Sequence, residues 1–189
     1  MTPTDLRSLE PPYFHLVVGS EDEFGKYTFG LNYQMSCEKP CQTAVKVLRG
    51  KKMRTRADLF NEFAAVLQFP DYFGENWAAL EECLDDLEWV RAEGFVVLIS
   101  NVTSVLSNEH PEERMILPRV LDRVCKDWAT SHRVYPSKEL KPAPFHVVFH
   151  AMQADLELAR ELLRPVSTDT SLFFLSGAQT DQSSVGHIS

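Results

Sequence analysis

A continuous apolar run at 95–100 dominates the pattern of hydrophobic and polar positions, and a second, mostly apolar segment follows at 145–149. Turn residues flank both segments. A run that does not alternate with polar residues is typical of a strand buried on both faces of a parallel sheet. A shorter apolar segment at 44–48 precedes a turn that contains Gly50, and it predicts a third strand.

Apolar residues recur at helical spacing between 44–48 and 95–100. The positions that define this spacing are Phe60, Phe63, Val66 and Leu67. Thr55 and Asp58 precede them as in a capping box with Asp in place of Glu, and Pro70 follows. Because proline supplies no amide donor and disfavours a helical residue before it, we expect a helix over about 57–68.

A second helical pattern, at about 112–130, lies before the run at 145–149 and contains Pro118, where we expect an irregularity. Strands separated by helices of this length imply right-handed crossovers. The predicted fold class is therefore α/β, with a small parallel β-sheet packed with helices.

The two ends of the chain carry further patterns. Segments 13–18 and 26–32 are typical of two strands around the acidic turn 20–25, which predicts an N-terminal β-hairpin. The C-terminal end predicts a short helix over 155–163, a strand at 171–175 and a polar tail at 179–189.

The segment 67–89 places a turn rich in aromatic residues and glycine directly before a short helix. Gly74 permits a backbone angle that other residues resist, and Asn76 is a suitable N-cap. At about 100° per residue, the helix has an apolar arc and an opposite, mostly acidic arc. The apolar arc comprises Trp77, Leu80, Cys83, Leu84 and Leu87, and the opposite arc comprises Ala78, Glu81, Glu82, Asp85 and Asp86. Since like charges four residues apart destabilise a helix, something other than folding is expected to favour these acids.

The charge balance narrows the classes of partner. The 189 residues carry 19 Lys and Arg against 27 Asp and Glu, a formal net charge of -8. Phosphate backbones are bound through clustered Lys and Arg, so we expect no direct nucleic-acid ligand and favour a basic protein partner. The N-terminus has no basic start before an apolar core, and no apolar run is long enough to span a bilayer. We therefore expect a cytoplasmic protein that does not contact membranes.

Four cysteines occur, of which only Cys37 and Cys41 are close in sequence, and no nearby His or second pair completes a zinc pattern. Free thiols are the first expectation, and a metal or a disulfide at Cys37 and Cys41 is the alternative. Cys83 lies on the apolar arc and is expected in the core. We expect no cofactor and no metal.

One motif resembles a known family. Pro70, an acid, two aromatic residues and Gly-Glu-Asn at 74–76 precede a helix with Ala-Leu at 79–80 and Glu-Cys-Leu at 82–84. This order resembles the signature of the barstar family of intracellular ribonuclease inhibitors, and the likeness extends more weakly over about 45–149. The resemblance implies three parts: an N-terminal extension with the hairpin at 1–43, a barstar-like domain at 44–151, and a C-terminal extension with the short helix and polar tail at 152–189.

The resemblance also implies a function. In the family, the turn and the exposed helix face plug a nuclease active site, with carboxylates in the place of substrate phosphate. It implies here a non-catalytic immunity protein that binds and blocks a toxin domain, first of all a ribonuclease with a basic groove. The partner-binding residues would be Tyr72, Gly74, Asn76, Ala78, Glu81, Glu82, Asp85 and Asp86. Glu82 matches the central aspartate of the family, whereas Ala78 and Glu81 replace an aspartate and a tryptophan, so the expected target is an enzyme other than barnase.

Two alternatives remain open. One is a barstar-like module that binds an ordinary cellular protein. The less favoured one is a hydrolase in which the carboxylates Glu81, Glu82, Asp85 and Asp86 hold a divalent metal. Adjacent helical residues diverge by about 100°, and the sequence has no P-loop, nucleophile elbow or His-Glu-x-x-His motif to complete such a site. We therefore expect that the chain is not an enzyme.

Overall fold

The computed structural model describes residues 5–37, 43–130, 141–164 and 170–175. The strands within these ranges are β1 (Phe14–Val18), β2 (Thr43–Arg49), β3 (Gly94–Ser100), β4 (Phe145–Ala151) and β5 (Ser171–Phe174). The helices are α1 (Glu21–Cys37), α2 (Arg56–Leu67), α3 (Trp77–Asp86), α4 (Pro111–Arg114), α5 (Ile116–Thr130) and α6 (Leu156–Leu163). The predicted polar tail at 179–189 and Cys41 lie outside the described residues.

The strands form one parallel sheet in the order β2-β3-β4-β1-β5. The three strands predicted from the apolar segments are neighbours in this sheet. Strand β1 extends it beyond them, because Phe14 pairs with Val147 of β4 and His15 pairs with Ser171 of β5. The predicted α/β fold with a small parallel sheet is confirmed.

Both faces of the sheet are buried, because each strand directs alternate side chains to opposite sides. In β3, Val97 and Ile99 join a core with residues of α2, α3, α5 and α6. Val96 and Leu98 join a second core with α1. This two-sided burial is the reason that β3 is apolar throughout rather than alternating.

The prediction of an N-terminal hairpin is wrong in its second strand. β1 forms as expected, but 26–32 belongs to helix α1. Phe24, Leu31 and Met35 lie on one side of this helix and are buried in the second core. That long-range contact selects the helix over the local alternation of polar and apolar residues.

The irregularity expected at Pro118 lies at Met115 instead, between α4 and α5. Pro118 stands in the first turn of α5, where backbone amides have no partner within the helix. Its missing N–H therefore removes no helical hydrogen bond. Helix α2 begins as predicted, since the Thr55 hydroxyl accepts a hydrogen bond from the Asp58 amide at 3.2 Å.

The described part of the N-terminal extension is integrated into the sheet, because β1 lies between β4 and β5. The division of the chain into three parts stays a prediction. None of the helices in the described ranges is long and apolar enough to cross a membrane, and the cytoplasmic location stays a prediction.

Candidate binding surface on helix α3

A turn held by side-chain hydrogen bonds leads into α3. Asn76 Oδ1 accepts from the Ala79 amide at 3.0 Å and caps the helix, while Asn76 Nδ2 donates to the Gly74 carbonyl at 3.0 Å. The left-handed backbone angle lies at Glu75, with φ 48°, and not at Gly74 as expected. A Cβ on Gly74 would come within 3.1 Å of Asn76 Nδ2, so close approach accounts for this glycine.

Two aromatic residues anchor the turn and a third projects from it. Phe73 packs edge-to-face on Phe69, with ring centroids 4.9 Å apart, and Trp77 packs on Phe60 at 5.2 Å. Tyr72 is 71% exposed. The turn therefore presents the Tyr72 ring from a base that the core fixes.

Helix α5 covers one side of the acidic arc. Arg123 Nε forms an ion pair with Glu81 Oε1 at 3.0 Å, and Asp85 is only 3% exposed. The Trp128 indole N–H donates to the Leu84 carbonyl at 2.9 Å and ties the two helices together. The expected open acidic face is therefore interrupted, because Asp85 is buried and the half-buried Glu81 is paired with Arg123, while the partner-binding role of the predicted residues stays a prediction. A helical wheel separates apolar from polar residues, but it does not show which polar side a second helix covers.

The open part of the predicted site is smaller, and we call it the α3 surface. It consists of the exposed Tyr72, Gly74, Asn76, Ala78 and Glu82, with the half-buried Asp86. A shallow depression of about 30 Å³ adjoins it, lined by Tyr72, Phe73, Ala79, Glu82, Cys83 and Asp86. Burial, and then the carboxylates of Asp86 and Glu82, raise the pKa of the Cys83 thiol to about 11. The depression thus combines apolar, aromatic and acidic side chains.

The carboxylates of α3 do not converge as a metal site requires. Glu81 is engaged by Arg123 and Asp85 is buried, whereas Glu82 is exposed. In residues 5–37, 43–130, 141–164 and 170–175, no group of three His, Cys, Asp or Glu side chains is placed to hold a metal ion. The geometry therefore gives the alternative of a carboxylate-metal hydrolase no support.

A histidine cluster that the sequence did not reveal lies within the sheet. His146 Nε2 is 2.9 Å from the Ser8 carbonyl, His15 Nε2 is 3.0 Å from His146 Nδ1, and His15 Nδ1 is 2.6 Å from Ser171 Oγ. A carbonyl only accepts, so with neutral rings His146 donates to Ser8, His15 donates to His146, and Ser171 donates to His15. The cluster joins β1, β4 and β5. Its members are distant in sequence, so only the strand register reveals it.

The carboxyl ends of β1 and β4 form the switch point of the sheet, where open α/β sheets bind ligands. In this chain, residues of the protein itself occupy the switch point. His150 Nε2 bonds the Gly19 carbonyl at 3.0 Å, and its ring stacks on Phe24 at 4.3 Å. The Glu23 carboxylate accepts from the amide and the hydroxyl of Ser20, both at 2.8 Å, at the start of α1. A carboxylate at this helix terminus opposes an anionic ligand such as phosphate.

The parallel sheet and the α3 surface define an α/β protein with an exposed turn-and-helix surface. The sequence model of one family, described as Barstar (barnase inhibitor), matches residues 43–150. This match covers more than half of the 189 residues, and the chain belongs to the barstar family. The matched range includes β2, β3, β4 and the α3 surface, whereas β1, α1, α6 and β5 lie outside it.

Solved structures with a similar fold include proteins of another kind. The Aeropyrum pernix ORC1 protein in complex with DNA has a TM-score of 0.57 at 12% identity, over 90% of this chain and 41% of that one. The Aeropyrum pernix ORC2 protein, in ADPNP-ADP complexes, has a TM-score of 0.55 at 14% identity, over 86% of this chain and 41% of that one. The chain thus spans about two fifths of their length, and identities this low show the fold alone. No curated protein sequence matches the chain.

Two functional expectations are corrected. The prediction of an immunity protein that blocks a toxin or nuclease domain is wrong, since the solved structures that share the fold are ORC proteins and, apart from the description of the family model, no matched protein supports a toxin inhibitor. The prediction that nucleic acid is excluded as a direct ligand is also wrong, since ORC1 shares the fold and was solved in complex with DNA. Net charge describes the whole chain and does not report the charge of one surface.

Proposed function

We propose that the chain is a non-catalytic protein-binding domain and that the α3 surface is its binding site. The observation that carries this proposal is the exposure of Tyr72, 71%, on a turn that Phe73 and Trp77 anchor. A large aromatic side chain held on a rigid base loses little conformational entropy on binding, and such residues are frequent interface hot spots.

The charges beside Tyr72 indicate the chemistry of the partner. Glu82 is exposed, and it lines the depression together with Asp86 and the tyrosine ring. A Lys or Arg side chain of a partner that binds here is attracted by the carboxylates and by the face of the tyrosine ring. The contact with the ring contributes roughly 0.5–2 kcal/mol to the binding free energy. The partner is therefore a protein that presents a cationic side chain next to apolar surface.

The test compares two variants with the same change of charge. Glu82→Lys reverses a charge on the α3 surface, and Glu161→Lys reverses an exposed charge on α6. The wild-type chain and each variant are immobilised, and the amounts of protein that they capture from a cell extract are compared. For the partner, we expect at least about tenfold weaker binding to Glu82→Lys and unchanged binding to Glu161→Lys. Equal capture by the two variants would show that the α3 surface is not the site.

Nucleic acid is a second candidate ligand, at a different surface. The segment 46–56, which we call the basic stretch, has six Lys and Arg residues and no acid. Three of these cations are engaged, because Arg49 pairs with Glu62, Lys51 with Glu21 and Arg56 with Glu113. The charge of the basic stretch is thus partly neutralised, and for this reason we favour a protein ligand at the α3 surface over nucleic acid at the basic stretch.

Titration of a fluorescein-labelled DNA duplex separates the two candidates. Binding by the basic stretch would weaken with salt and would be lost in Lys46→Glu/Lys52→Glu but not in Glu82→Lys. If the duplex binds in this way while no protein discriminates between Glu82→Lys and Glu161→Lys, nucleic acid replaces protein as the proposed ligand.

A further inference from the structure

Helix α1 presents two large aromatic side chains to solvent. Phe29 is 79% exposed and Tyr33 is 67% exposed. They are four residues apart and therefore lie on one side of the helix. That side faces away from the sheet, because Phe24, Leu31 and Met35 form the buried side. Nothing in the proposed function uses this face.

Two glycines accompany the aromatic pair, Gly25 before Phe29 and Gly30 between Phe29 and Tyr33. A Cβ added to Gly25 or Gly30 would meet no atom within 4 Å, and neither residue has a positive φ. Glycine in the interior of a helix lowers its stability relative to alanine. No contact within the described residues requires either glycine, and each leaves a gap in the outer surface of the helix.

We propose that α1 forms the interface of a symmetric homodimer, in which two α1 helices pack antiparallel about an axis near Phe29. At a rise of 1.5 Å per residue, Gly25 and Tyr33 lie about 6 Å on either side of Phe29. The symmetry therefore sets Tyr33 of each copy against Gly25 of the other, and the aromatic ridge enters the groove beside the glycines. A second copy is the natural occupant because one helix carries both the ridges and the grooves.

The buried area sets the strength of this dimer. A fully buried aromatic side chain contributes roughly 150–250 Å², so four rings at these exposures contribute roughly 600 Å² in the pair. Stable interfaces bury roughly 1,200–2,000 Å², so the polar residues beside the rings must supply the rest. The dimer is therefore weak and depends on concentration. It leaves the α3 surface accessible, because α1 and α3 pack on opposite faces of the sheet.

Sedimentation velocity of the full chain between about 1 and about 200 µM tests the proposal. We expect the wild-type chain to shift from monomer to dimer with rising concentration and Phe29→Glu to remain monomeric. The matched control is Leu158→Glu, which introduces the same charge at an exposed apolar residue of α6, on the other side of the sheet, and should dimerise normally. A wild-type monomer throughout, or equal dimerisation of Phe29→Glu and Leu158→Glu, would overturn the proposal.

Gly25→Gln provides a second, independent test. In the monomer the new side chain enters open space and favours the helix, so the urea midpoint of a dilute sample should rise. In the dimer the same side chain fills the groove that receives Tyr33, so dimerisation should weaken at least tenfold. A variant that dimerises as strongly as the wild-type chain contradicts the proposed packing.

Discussion

Glu62 is a buried carboxylate, 7% exposed, that one arginine neutralises. Arg49 Nε and Nη2 donate to its two oxygens at 2.7 and 2.9 Å, and the Arg49 amide donates at 3.1 Å. These bonds lower the pKa of Glu62, although burial acts in the opposite direction. The pair fastens the end of β2 to α2.

Glu62→Gln should lower the free energy of unfolding by about 1–3 kcal/mol at pH 7, because it removes a charge-assisted bidentate contact. Urea denaturation measures the loss. Asp22→Asn is the control, since it breaks an ion pair to Lys26 whose side chains are both 76% exposed, and the expected loss is much smaller because solvent screens such a pair. Equal losses would show that burial adds nothing to the Arg49–Glu62 pair.

The pH dependence of this difference follows from the direction of the pKa shift. A carboxyl whose folded pKa is lowered stabilises the protein fully above its unfolded pKa, and it loses this effect as the pH falls through the folded pKa. The gap in stability between the wild-type chain and Glu62→Gln should therefore narrow from about pH 5 downwards. A gap that widens on acidification contradicts the assignment.

Single residues were predictable where the cause was local. Asn76 caps α3 as its position before the helix indicates, and Tyr72 is exposed as the turn suggested. The burial of Asp85 was not predictable from α3 alone, because α3 packs against α5, which lies far along the sequence. The same holds for His15, whose partners lie in β4 and β5.

Helix α3 joins the core to the α3 surface, and its first turn determines where the exposed residues lie. The cap from Asn76 Oδ1 stabilises the helix, and the bond from Asn76 Nδ2 to the Gly74 carbonyl shapes the turn that carries Tyr72. These are two functions of one side chain, so substitutions that remove one or both of them are informative.

Asn76→Ala should lower the free energy of unfolding by about 0.5–2 kcal/mol, because the first turn loses its cap. Asn76→Asp keeps an acceptor at the helix N-terminus and should retain most of that stability. Thermal or urea unfolding of both variants measures the difference. If Asn76→Asp were as unstable as Asn76→Ala, the bond to Gly74 rather than the cap would be the stabilising contact.

Elements were predictable when their own sequence contained the signal. The segments that became β3 and β4 needed no knowledge of their neighbours, because burial on both faces makes most residues of each strand apolar, His146 and His150 of β4 being the exceptions. Helix α1 was missed because the aromatic residues Phe29 and Tyr33 on its exposed side and its two glycines weaken the helical pattern, and only the second core reveals the buried side.

At the scale of the whole molecule, the matched family range provides three strands and the remaining chain completes the sheet. β1 covers the edge of β4, and α1 covers the face that carries Val96, Leu98 and Val148. The fold class could be predicted from the sequence, but the strand order could not, since β1 pairs with strands at the other end of the chain.

A chain that begins at Thr43 should therefore fail to form a stable monomer, although it contains the whole range matched by the family. The loss of α1 exposes one core, and the loss of β1 leaves β4 unpaired on one side. We expect dye binding and aggregation, measured by ANS fluorescence and light scattering. Co-expression of residues 1–42 as a separate chain should restore cooperative unfolding, and a fragment that folds alone would contradict this view.

The position of β1 also constrains the order of events during synthesis. β1 leaves the ribosome first, yet the strands on both sides of it are translated last. Until then the nascent chain carries a mostly apolar segment whose strand partners are missing, a state in which unpaired edges promote misassembly. The sheet can therefore close only after β5 has been synthesised, and the long sequence separation of these strand pairs favours slow folding.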